Sequence, residues 1–65
     1  MTKAEIIDEV KKHFEECFKY TSKEKSKKSA FFVSCVENEI GRIAFDNDYE
    51  ITTTEVSEIV AAVFE

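Results

Sequence analysis

The chain has 65 residues, 43% of them apolar, with six phenylalanines, no proline and a net charge of −5, which excludes a disordered chain and leaves room for one domain with a thin core. No apolar run approaches the roughly 18 residues that cross a bilayer, and Met1-Thr2-Lys3-Ala4-Glu5 lacks a signal peptide's apolar core, so a cytoplasmic protein that does not engage a membrane is expected. The charge is uneven: residues 1–20, 21–29 and 30–65 carry −1, +3 and −7, an acidic body that argues against general nucleic-acid binding and for a protein partner with a basic surface.

Residues 3–20 place Ile6, Ile7, Val10, Phe14, Cys17 and Phe18 at three- and four-residue spacing, which predicts a helix with one buried stripe. Thr2-Lys3-Ala4-Glu5 matches a capping box, in which the Thr hydroxyl and the Glu carboxylate each satisfy a free backbone N–H. From Thr21 to Ser29 there is no apolar residue and much Ser and Lys, so a solvated loop is expected.

Phe31 to Val36 and Arg42 to Phe45 are rich in aromatic and β-branched residues and are separated by a segment with Asn38 and the only glycine, Gly41. That composition predicts a β-hairpin, with Asn38 opening the turn and Gly41 in its left-handed position. The implied register pairs residues whose numbers sum to 80, setting Cys35 opposite Phe45 and Glu37 opposite Ile43. One sheet face then carries Phe31, Val33, Cys35, Ile43 and Phe45. The other carries Phe32, Val36 and Ala44 among Ser34, Arg42 and Asp46, which is more apolar than a solvated face requires.

After the acidic link 46–50, Val56, Ile59, Val60, Val63 and Phe64 fall at i, i+3, i+4, i+7 and i+8, a second amphipathic helix capped by Thr52 or Thr54. The expected fold class is therefore α+β, a single domain over 1–65 in the order helix, strand, strand, helix. Both helices cover one face of the antiparallel hairpin. The second face, with Phe32 and Val36, invites a twin, so that two hairpins join as a four-stranded sheet in a homodimer.

Few residues point to chemistry. Asp46, Asp48 and Glu50 alternate as the first ligands of an EF-hand do, but Ile51 stands where that loop needs glycine and Ser57 where it needs a bidentate glutamate. His13 and Cys17 are one helical turn apart, with Cys35 as a third candidate, yet structural zinc takes four ligands and no spaced Cys or His pair exists. The same two residues as a nucleophile pair would need a substrate pocket that so short a chain cannot build. No enzyme activity, cofactor or metal is expected, and both cysteines are read as reduced core residues.

The lysines at 23, 25, 27 and 28 read as a solvated connector able to attract acidic surface. Glu37, Glu39, Asp46, Asp48 and Glu50, with the apolar Phe32 and Val36, are the candidate partner-binding residues. They suggest a small acidic protein-binding module, an inhibitor that occupies a basic surface and mimics a row of phosphates. The alternative is a structural homo-oligomer or an accessory subunit of a larger complex. In size and charge the chain resembles the small acidic inhibitors carried by phages and other mobile elements, anti-CRISPR proteins among them. The likeness is one of composition and transfers no residues.

Overall fold

The computed structural model describes all of residues 1–65 and contains five helices and no strand: α1 (Lys3–His13), α2 (Glu15–Tyr20), α3 (Lys23–Lys28), α4 (Ala30–Asp46) and α5 (Thr53–Val63). The α+β expectation is overturned. Residues 31–45 form one continuous helix rather than a hairpin, so there is no strand register, no second sheet face and no edge from which two copies could build a four-stranded sheet. The lysine-rich segment, expected as a loop, contains α3.

Helix α1 begins at the expected capping box: Glu5 N donates to Thr2 Oγ1 at 3.2 Å and Thr2 N donates to Glu5 Oε1 at 2.9 Å. That bond from the Thr2 backbone holds the Glu5 carboxyl below its ordinary value. The helix expected over 3–20 is divided at Phe14, whose backbone leaves helical geometry (φ −100°, ψ 7°) before α2 starts.

Helix α3 has only six residues, all polar, and so short a helix does not hold in isolation. Three features support it. Ser22 caps it by accepting from Lys25 N at 3.2 Å, Glu24 lies in its first turn with Lys25, Lys27 and Lys28 in its last, and the helix packs on α4. Its one buried residue is Ser26. Ser29 closes α3 and caps α4, accepting from Phe32 N at 3.2 Å.

In α4 the residues that read as strand formers make a helical stripe: Val36, Ile40, Ile43 and Ala44 are buried on one side, with Val33 beside them. The helix stops at Asn47. Asp48 takes a left-handed conformation (φ 52°), its N–H reaches Phe45 O at 3.3 Å, and Tyr49 N reaches Ala44 O at 2.8 Å. This is a Schellman ending with aspartate in the place that glycine usually holds. Of the two candidate caps for α5, Thr52 is the one used, accepting from Glu55 N at 3.1 Å.

Helices α1, α4 and α5 each pack on the other two. Ile6 and Val10 of α1, Val36 and Ile40 of α4, and Ile59 and Val63 of α5 are fully buried between them. Phe14, Phe18, Phe32 and Phe64 form an aromatic cluster at the edge of this core, with ring centroids 5.4–5.9 Å apart. The core is thin, as the length demands, and it uses four of the six phenylalanines.

Candidate protein-interaction surface

Helix α4 is the longest element and, at about 1.5 Å per residue, runs for roughly 25 Å. With one side facing α1 and α5, its opposite side is the outer surface of the molecule. Positions 31, 34, 38, 41 and 45 recur at alternating steps of three and four, so they share that side. They are Phe31, Ser34, Asn38, Gly41 and Phe45, all exposed and none charged. The two phenylalanines are 81% and 84% exposed and cap the stripe about 21 Å apart.

Between them the surface is low. A Cβ added to Gly41 would meet nothing within 4 Å, so the backbone there is open to whatever approaches. Such a stripe, with bulk at both ends and small residues between, suits an elongated partner lying along the helix.

Charged groups frame it. Arg42 donates through Nε to Glu39 Oε1 at 2.8 Å and through Nη1 to Asp46 Oδ2 at 2.9 Å, a fork that raises the Arg42 pKa, Glu39 contributing most. Glu39, only 11% exposed, also lies 3.4 Å from His13 Nε2 and so ties α4 to the end of α1. Of the five acids singled out from the sequence, Glu39 and Asp46 are thus engaged with Arg42. Glu37, Asp48 and Glu50 are exposed and make no ion pair.

The two apolar residues singled out with them are elsewhere. Val36 is fully buried and Phe32 is part of the aromatic cluster, so neither lies on a free face. The surface phenylalanines are Phe31 and Phe45, which a hairpin would have placed under the helices. Their signal was available in the sequence: fourteen residues apart, they fall on one side of a helix and opposite Val36, Ile40 and Ile43.

No family model, curated protein or solved structure matches this chain. The surface must be interpreted from its own chemistry.

The two depressions in the surface open broadly to solvent and are lined almost entirely by charged side chains, one by Asp8, Lys11, Lys12, Glu15, Phe18 and Lys23, the other around His13, Glu39 and Arg42. No three His, Cys, Asp or Glu side chains gather as a metal-holding group. Both cysteines are free thiols. Cys17, expected in the core, is exposed on α2, and Cys35 is half-buried beside the core. The His13 imidazole is directed to Glu39. Tyr49 O–H donates to Glu55 Oε2 at 2.6 Å, which lowers the Glu55 pKa and raises that of Tyr49, a bond that closes the turn into α5. No helix is long and apolar enough to cross a membrane.

Proposed function

We propose that this chain is a small protein-binding module that works by packing the outer face of α4 against a second polypeptide chain, with no chemistry of its own. The observation that supports this reading is the exposure of Phe31 and Phe45 at the two ends of an uncharged helical stripe. Burying one phenylalanine stabilises a complex by about 1.5–3 kcal/mol, and aromatic side chains are over-represented among the residues that dominate binding energy.

The unpaired acids Glu37, Asp48 and Glu50 and the net charge of −5 favour a partner whose apolar groove is bordered by basic side chains. Occupying such a border is also how a module of this kind would inhibit a protein that binds phosphate backbones.

The reading is tested by immobilising the wild-type chain, the double variant F31D/F45D and a control charged elsewhere, K11D, and identifying by mass spectrometry what each retains. Proteins held by wild type and K11D and lost from F31D/F45D support the α4 face. The same proteins on all three would overturn it. All three chains should give the same helical circular dichroism, since both phenylalanines lie outside the core.

A further inference from the structure

We infer that the partner lying along α4 is a second copy of the same chain, packed antiparallel across a two-fold axis that passes beside Asn38. The inference rests on reading the α4 face as a contact surface and names its occupant.

The first argument is symmetry. A two-fold contact requires a surface complementary to itself, so that if residue i meets residue j, residue j meets residue i. Phe31 and Phe45 are each seven residues from Asn38. Antiparallel helices crossing at Asn38 pair residues whose numbers sum to 76, so each Phe31 meets the Phe45 of the other copy. Asn38 meets itself, and its amide, both donor and acceptor, bonds its twin across the axis. A single asparagine at such a position selects one register, at some cost in stability. Ser34 and Gly41 lie between the axis and the phenylalanines, where small residues let two backbones approach.

The second argument is charge. The exposed Lys27 and Lys28 lie at the N-terminal end of α4, joined to it through Ser29, whereas Asp48 and Glu50 follow its C-terminal end. Antiparallel packing brings the basic end of each copy to the acidic end of the other, twice per dimer, and opposes the two helix dipoles. Parallel packing would bring like ends together.

The third is area. Four phenylalanines at about 150–250 Å² each, exposed to 81–84%, supply roughly 500–800 Å². With Ser34, Asn38, Gly41 and the stem of Arg42 the total reaches about 1,000 Å², the lower limit for a specific interface. A reversible dimer of micromolar affinity is the expected result.

Gly41 provides the decisive variant. Because its Cβ would meet nothing, G41R leaves the monomer intact and replaces a poor helix former by a good one, yet it places a long side chain where the two backbones approach. Sedimentation equilibrium across the micromolar range should show wild type moving from 7.5 kDa to twice that mass, and G41R remaining at 7.5 kDa with unchanged circular dichroism. In a background of C17S/C35A, oxidation should link N38C to its twin and leave S34C unlinked, since antiparallel helices hold the two copies of position 34 about 12 Å apart along the axis.

A wild-type chain that stays monomeric to millimolar concentration overturns the second copy and leaves the α4 face to another protein. A dimer that G41R does not weaken overturns the α4 face itself. Equal linking of N38C and S34C overturns the antiparallel arrangement.

Discussion

Replacing Gly41 with alanine tests the fold through the sign of a single stability change. In α4 this residue lies mid-helix with no positive φ, exposed, and with open space where a Cβ would stand. Alanine at an exposed helix interior is favoured over glycine by about 0.5–1 kcal/mol, because glycine gives up more backbone freedom on folding. Nothing must move to admit the methyl group, so the whole gain should appear as stability. For a domain of this size about 1 kcal/mol shifts the melting midpoint by roughly 4–8 °C, and G41A should therefore melt about 2–8 °C higher than wild type. In a hairpin, where Gly41 would hold a left-handed position, alanine would instead cost about 1–2 kcal/mol. The assay is thermal and urea denaturation followed by circular dichroism, at concentrations too low for self-association to contribute. A lower midpoint for G41A would refute the helical placement of residues 30–46 and with it every statement about the α4 face.

Ile40→Ala removes a fully buried side chain from the centre of α4. It should cost about 2–5 kcal/mol, a large part of the few kcal/mol available to a chain of this length, so its urea transition should begin without added denaturant. Ser26 Oγ is buried without a hydrogen-bond partner, and Ser26→Ala should leave the unfolding free energy from urea titration unchanged or raise it by up to about 1 kcal/mol; a clear loss would mean the hydroxyl is satisfied. Tyr49→Phe should reveal a pH-dependent bond. The Glu55 carboxyl, held below its ordinary 4.5 by the Tyr49 hydroxyl, contributes stability above that range and loses it as pH falls, whereas Tyr49, raised above its ordinary 10.0, contributes below that value and loses it as pH rises. The difference between wild type and Y49F should be greatest near neutrality and shrink at both extremes, and a difference independent of pH would remove the bond.

The ends of the chain were legible because their signals agree with one another. Thr2 with Glu5 and Thr52 with Glu55 are capping boxes ahead of clean apolar stripes, and both are formed. The middle was not legible, because two local signals opposed one periodic signal. Phe31, Phe32, Val33, Val36, Ile43 and Phe45 are residues that favour strands, and Asn38 and Gly41 are residues that favour turns, yet both preferences are worth less than burying Val36, Ile40 and Ile43 against α1 and α5. Helix α3 was missed for a different reason. It packs against α4, and nothing in a run of lysines and serines marks Ser26 as the one residue that will be buried. The candidate site suffered in proportion: Phe32 and Val36 were assigned to the surface because a strand alternates sides at every residue, whereas a helix turns them inward. The acids were less affected, since Glu37, Asp48 and Glu50 are exposed in the helical fold.

Four of the residues that hid the helix, Phe31, Asn38, Gly41 and Phe45, also define its outer surface. An amphipathic helix shows its period because one side is polar, and α4 lacks that contrast where Phe31 and Phe45 stand opposite the buried stripe. A chain with so little apolar material already uses Phe14, Phe18, Phe32 and Phe64 to close its core, so two more phenylalanines in water are not surplus from that task. They add nothing to the monomer's packing, and they raise the risk of non-specific association. Their positions limit that risk. Each stands at an end of α4, separated from the other by Ser34, Asn38 and Gly41, with lysines beyond one end and acids beyond the other. A patch divided in this way gives little to a random hydrophobic contact, and it gives its full area only to a partner that spans both ends and carries the opposite order of charge. An antiparallel copy of the same helix has that length and that order, and it is the occupant proposed above for this face.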